Sequence, residues 1–126
     1  MNKAETKAAV LVVDDELPLR DVLSEALQND GYIVSVAANG REALELIKQR
    51  SFDLMFLDIK MPKVTGEDVL ARAKKSNPSM PVVVLSAVTD SVTEDQMRQL
   101  GAVEYLKKPC SLNEVVETAN RVLGAG

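Results

Sequence analysis

A parallel α/β sheet with helices on both faces is the fold class that this sequence predicts, on three observations. Five short β-like segments alternate with five helix-like ones along 126 residues. Strict alternation of this kind implies right-handed crossovers that lay helices on both sides of a parallel sheet. Three of the β-like segments are nearly continuous aliphatic runs, the composition of strands covered on both faces. Acids, a hydroxyl and a lysine stand where the aliphatic runs stop, and open α/β sheets bind ligands at the carboxyl ends of their strands.

The strands are expected over residues 9–13, 32–37, 53–57, 81–85 and 103–106. The second alternates less cleanly than the others, which puts it nearer a sheet edge. In the first helix Leu19, Val22, Leu23, Ala26 and Leu27 recur at helical spacing, and Gly31 is its stop. Asn39 caps the second, with Glu42 three residues on and Ala43, Leu44 and Ile47 inward. The third, from about Glu67 to Lys75, buries Val69, Leu70 and Ala73 and breaks before Pro78. The fourth pairs Ser91 with Glu94 as a capping box but has only Val92, Met97 and Leu100 as apolar anchors. It is the most polar helix, so its docking is expected to be the weakest. The fifth opens on Ser111 and Glu114 and buries Leu112, Val115, Val116, Ala119 and Val122. The domain is expected over residues 8–123, with 1–7 and 124–126 as flexible termini.

Composition excludes several functions. A formal net charge of -4 and basic runs no longer than Lys74-Lys75 and Lys107-Lys108 argue against direct nucleic-acid binding. The longest apolar stretch, Ala8 to Val13, is far short of the roughly 20 residues of a membrane span and runs straight into acids. One cysteine, Cys110, allows no internal disulfide and suits a reducing, cytoplasmic setting. With no histidine in the chain, Ser-His-Asp catalysis and imidazole metal sites are unavailable. The remaining chemistry is carboxylate, hydroxyl and amine.

Asp14-Asp15 closes the first strand and Asp58 the third. Three carboxylates brought together repel, and a divalent cation with hard oxygen ligands, Mg²⁺ above all, relieves that repulsion. The competing reading of Asp14-Asp15 is a cap on the following helix. Asp58 suits a ligand, a nucleophile for phosphoryl groups, or both. Ser86 offers a hydroxyl donor and Lys108 a positive charge for phosphoryl oxygens, with Lys107 as the competing amine. A cis Lys108-Pro109 bond would turn the lysine back over the sheet edge. Strand alternation sets Tyr105 on the opposite side from Leu106, half-exposed near the sheet edge.

These residues together carry a resemblance. Val12-Val13-Asp14-Asp15-Glu16, Leu57-Asp58-Ile59-Lys60-Met61-Pro62 with Gly66, Leu85-Ser86-Ala87 and Tyr105-Leu106-Lys107-Lys108-Pro109 resemble the receiver domain of two-component response regulators, over about Ala8 to Leu123. The resemblance implies a flavodoxin-like (βα)5 sandwich with strand order 2-1-3-4-5. It implies that Asp58 accepts a phosphoryl group from the phosphohistidine of a histidine kinase or phosphotransfer protein. Asp15, Asp58 and the Lys60 backbone carbonyl would hold Mg²⁺, or Mn²⁺, directly, and Asp14 through water. Ser86 and Lys108 would bind phosphoryl oxygens. Ser86 and Tyr105 would form a switch pair that remodels the face of the fourth helix, fifth strand and fifth helix toward a downstream effector or output domain. The implied protein is a monomer, with dimerisation on phosphorylation left open. It is a signalling domain that assists its own phosphorylation and dephosphorylation rather than an enzyme. Lys60 and Val88 stand where the family tunes acyl-phosphate lifetime, Thr65 where Asp commonly precedes Gly66, and Cys110 where Phe often follows Lys-Pro.

Other classes fit less well. An aspartyl-phosphate phosphohydrolase needs a second Asp two residues after its nucleophile, where Lys60 stands. A flavin or nucleotide carrier needs a phosphate loop after the first strand, where Asp14-Asp15-Glu16 would repel it. A degenerate receiver is at odds with the intact set of Asp14, Asp15, Asp58, Ser86 and Lys108. A receiver fragment of a larger transcription factor or hybrid kinase stays open.

Overall fold

The computed structural model describes residues 8–60, 65–87 and 93–124. Along them run β1 (Ala9–Val13), α1 (Leu17–Asn29), β2 (Ile33–Ala37), α2 (Gly40–Gln49), β3 (Leu54–Asp58), α3 (Gly66–Ser76), β4 (Val82–Ala87), α4 (Glu94–Gln99), β5 (Glu104–Lys108) and α5 (Leu112–Leu123). The strands form one parallel sheet in the order β2-β1-β3-β4-β5, so the less regular second strand is indeed at an edge.

Alternation along the strands divides the core into two layers. Leu11, Val13, Met55, Leu57, Val82 and Val84 face one layer, with Val69, Leu70 and Ala73 of α3 and Met97 of α4. Val10, Val12, Leu54, Phe56, Val83, Leu85 and Leu106 face the other, with Leu23 and Leu27 of α1 and Val115 and Ala119 of α5. The three central strands are buried on both faces, as their aliphatic runs predict.

Strand ends depart from expectation in a consistent direction. β3, β4 and β5 continue to Asp58, Ala87 and Lys108, beyond the aliphatic runs. Hydropathy marks where side chains are buried, whereas the ladder goes on wherever a neighbour supplies a partner; Ile59 N–H still donates to Leu85 O at 3.0 Å. Asp53, expected to open β3, instead ties the strand's base to β1: its carboxylate accepts from Ala9 N–H at 2.9 Å.

Most helix ends are built as the sequence predicts. Asn39 accepts from Glu42 N–H at 2.9 Å, and the Glu42 carboxylate accepts from Ala38 N–H at 2.8 Å. Ser111 accepts from Glu114 N–H at 3.0 Å. Gly31 follows α1 with φ 99°, a conformation that suits glycine. The capping box of α4 is Thr93 with Gln96, not Ser91 with Glu94; Ser91 and Val92 lie outside the described residues. Either pair fits the S/T-x-x-E/Q pattern, and the helix starts at the later one. α4 spans 6 residues and buries only Met97 among them, in keeping with its expected weak docking. Leu112, expected inward, is 40% exposed at the first position of α5, while Thr118 joins Val115 and Ala119 on the buried face. Gly124, expected to fray, closes α5 in the left-handed conformation with φ 67°.

One glycine positions the site directly. A Cβ on Gly66 would lie 2.5 Å from Ile59 Cα, and Gly66 N–H donates to Ile59 O at 3.1 Å. The start of α3 is therefore pressed against the residue after Asp58, at a distance that only glycine permits.

Candidate functional site

The parity that sorts the core also gathers the site. Asp14 follows Val12 by two residues, Asp58 follows Phe56, and Lys108 follows Leu106, so all three share the face that packs on α1 and α5. They meet at the carboxyl end of the sheet. Lys108 Nζ lies 3.2 Å from Asp58 Oδ1 and 3.6 Å from Asp14 Oδ2. Asp58 is 3% exposed and Asp14 fully buried, whereas Asp15 is exposed. One carboxylate oxygen from each of Asp14, Asp15 and Asp58 lies within 4.8 Å of the others.

The acids are not helix caps. Glu16 is the N-cap of α1 and makes no side-chain cap bond; Pro18 stands in the first turn. Asp14 Oδ1 accepts from Glu16 N–H at 2.9 Å. Asp14 Oδ2 is buried with no hydrogen-bond partner among the described residues. Lys108 Nζ at 3.6 Å gives it a charge partner but no hydrogen bond, which a buried carboxylate oxygen lacks at a cost, and it sits within reach of two further carboxylates. A hard divalent cation is the ligand that this donor set fits.

Electrostatics follow from burial. Loss of solvent pushes the Asp58 carboxyl up to about 6; Asp14 adds to the shift, while Lys108 and the Lys60 amide oppose it. The Lys60 amide donates to Asp58 Oδ1 at 3.3 Å. Burial disfavours the Lys108 cation, yet the combined pull of Asp58, Asp14 and Glu16 lifts it above its ordinary value. Lys107, the competing amine, is exposed and points to the opposite face. The Lys108-Pro109 peptide is cis.

Ser86 is fully buried at the end of β4, and its hydroxyl donates to Ala87 O at 3.3 Å. In register, Val84 pairs with Tyr105 and Ser86 with Lys107, so Ser86 and Tyr105 share the layer opposite to Asp58. Tyr105 is half-buried against that layer's core, opposite Leu106, as alternation predicts. Val88, Met61 and Pro62 lie outside the described residues. Thr65 caps α3 by accepting from Asp68 N–H at 3.2 Å, so the residue that departs from the family pattern has a local role. Cys110 is half-buried beside the core under α5, and burial pushes its thiol up.

Sequence reasoning passed over Arg20. Its guanidinium Nη1 donates to the Asp14 backbone carbonyl at 3.0 Å. The one available signal was a cation a turn into the helix that follows the acid pair.

The family model of the response regulator receiver domain matches residues 10–120. The chain belongs to this family. Over 115 residues this receiver domain is 36% identical to the DNA-binding transcriptional regulator NtrC of Bradyrhizobium sp. (strain RP501 Parasponia), covering 91% of the chain and 24% of that relative. Over 119 residues it is 39% identical to the probable transcriptional regulator ycf27 of Guillardia theta, covering 94% of the chain and 46% of that relative. The chain thus spans about a quarter to a half of the length of these curated relatives. Among solved structures, the Vibrio cholerae chemotaxis protein CheY4 superimposes with a TM-score of 0.87 at 32% identity, covering 94% of this chain and 100% of that one. A CheY-like receiver domain protein from Methanospirillum hungatei gives 0.89 at 28% identity, covering 96% of each chain. The receiver domain therefore has the expected flavodoxin-like fold and order 2-1-3-4-5. Among the described residues no helix is long and apolar enough to cross a membrane.

Proposed function

We propose that this receiver domain is a phosphorylation-driven switch of a two-component relay, with Asp58 as phosphoacceptor. The observation that carries the reading is the convergence of Asp14, Asp15 and Asp58 within 4.8 Å, with the Lys108 amine 3.2 Å from Asp58. Asp15, Asp58 and the Lys60 carbonyl would hold Mg²⁺, or Mn²⁺, which share a preference for oxygen ligands, with Asp14 acting through water. Bound there, the cation offsets the charge of carboxylate and phosphoryl oxygens together.

The transfer itself asks little of the protein beyond placement. An ionised Asp58 oxygen attacks phosphorus in line. The P–N bond to the donor's imidazole breaks and its electron pair leaves with the ring nitrogen. Lys108 follows the charge from the carboxylate to the phosphoryl oxygens, and the Ser86 hydroxyl donates to one of them. With Ser86 drawn toward the acyl phosphate, Tyr105 repacks on the same layer and alters the surface of α4, β5 and α5. A downstream effector or an output domain of the same chain reads that surface in the cytoplasm. The domain assists its own modification and is otherwise not an enzyme.

Acetyl phosphate with Mg²⁺ tests this. The intact mass should rise by one phosphoryl group, and Asp58→Asn should abolish the gain; an unchanged parental mass counts against the reading. Beryllofluoride should shift the NMR resonances of Ser86 and Tyr105. Movement confined to residues around the acids would remove the switch and leave the site.

A further inference from the structure

We propose that Arg20 is a positioning residue for the acidic pocket: it fixes the peptide that joins Asp14 to Asp15, so that both carboxylates are aimed before a cation arrives. The inference rests on the metal-binding reading above. The registers of β1 with β2 and β3 end at Val13, so the Asp14 carbonyl lies past the sheet pairing. A chain turning into a helix often satisfies such a carbonyl from the N–H four residues on. Here that residue is Pro18, which has no N–H to give. Arg20 Nη1 donates to the carbonyl instead, at 3.0 Å, while Arg20 N–H makes the first helical bond to Glu16 O at 3.0 Å.

The remaining groups of Asp14 are also committed. Its N–H donates to Ala37 O at 3.1 Å, and its Oδ1 accepts from Glu16 N–H at 2.9 Å. With three of its polar groups held, Asp14 has one orientation, and it leaves Oδ2 without a hydrogen bond, 3.6 Å from the Lys108 amine and beside the other acids. The Arg20 Nε is buried and finds no hydrogen-bond partner among the described residues. Burying that nitrogen without a partner is a cost the side chain accepts in the orientation that makes the contact through Nη1. Because the Asp14 carbonyl belongs to the same planar unit as the Asp15 amide, the bond sets the departure angle of Asp15 as well.

Mg²⁺ alone is the probe, titrated by calorimetry into the parent, Arg20→Met and Arg20→Lys, with the Asp14 carbonyl ¹³C shift recorded for each. Arg20→Met keeps the apolar stem and should weaken Mg²⁺ binding about tenfold, the scale of losing a group that orients a ligand. It should also move the Asp14 carbonyl shift. Arg20→Lys should restore the shift and most of the affinity. Affinity of Arg20→Met within twofold of the parent overturns the inference, as does a lysine variant that regains the shift without the affinity. If Arg20→Met fails to fold, the lysine variant decides: shift and affinity that change together support the inference, and independent changes overturn it. A parent that binds no Mg²⁺ sinks the metal-binding reading itself, and this inference with it.

Discussion

Lys108 Nζ sits 3.2 Å from Asp58 Oδ1, joining the ends of two strands that are not neighbours in the sheet. Its raised proton affinity shows that the acids more than offset its loss of solvent. A cation held this way contributes stability below its ordinary pKa and loses it as pH rises through the raised one. Lys108→Met should therefore lower metal-free stability near pH 8 by about 1–2 kcal/mol, a figure kept small because the side chain is 19% exposed. The deficit should shrink below about pH 6, where Asp58 takes up a proton. Urea titrations at the two pH values check this, and equal deficits at both would count against it.

Asp58 has the opposite balance. Its carboxyl is pushed up to about 6 by burial, so the folded chain binds this proton more tightly than the unfolded one. The stability from that difference is full below about pH 4 and is lost as pH rises through about 6. Asp58→Asn removes the ionised form and should make the metal-free domain more stable at pH 7.5, by on the order of 1–3 kcal/mol. The gain should fade toward pH 4. A midpoint that does not rise at pH 7.5 would show that the pocket tolerates the charge better than its burial implies.

Divalent cation binding should relieve the same strain. With Mg²⁺ at about a hundred times its dissociation constant, mass action stabilises the native state by about 2.7 kcal/mol. Thermal scans should show a midpoint raised by several degrees at pH 7.5 and less at pH 5. Asp58→Asn should show a smaller rise at both.

Gly66→Ala places a methyl group 2.5 Å from Ile59 Cα, against backbone that has no rotamer to yield. About 1–3 kcal/mol of destabilisation is expected, from overpacking alone. Because Ile59 follows Asp58, phosphorylation by acetyl phosphate should slow as well. Gly124→Ala faces no neighbour within 4 Å and should cost less, through its left-handed backbone only.

Thr93→Ala removes the side-chain half of the α4 capping box, the bond accepted from Gln96 N–H, while the Thr93 backbone bond to Gln96 survives; it should cost about 1 kcal/mol. With Met97 the helix's buried anchor, that loss should appear as faster amide exchange confined to α4.

Much of this was legible before any coordinates. The aliphatic runs of β1, β3 and β4 report two-sided burial directly, and the polar residues that follow those runs, Asp14, Asp58 and Ser86, report the site. Asn39 and Ser111 are readable as caps because the group they satisfy is three residues away. What stayed hidden depends on distance along the chain. Arg20 donates to a carbonyl, and a carbonyl has no residue type to announce it. Leu112 has the hydropathy of a core residue but occupies the first position of α5, where it is exposed. The α4 start was ambiguous because two hydroxyl residues close together each fit the same cap pattern.

The two-layer sorting of side chains carries a last implication. Asp58 belongs to the layer of α1 and α5, whereas Ser86 and Tyr105 belong to that of α2, α3 and α4. In the proposed switch, news of phosphorylation must pass from one side of the sheet to the other. It can do so only around the rim where the strands end, since the central strands are a solid wall of packed aliphatics. Helices on the far side thus hear of the event through a few terminal residues, and changing Tyr105, which binds no phosphoryl oxygen, should silence the output while leaving the chemistry intact.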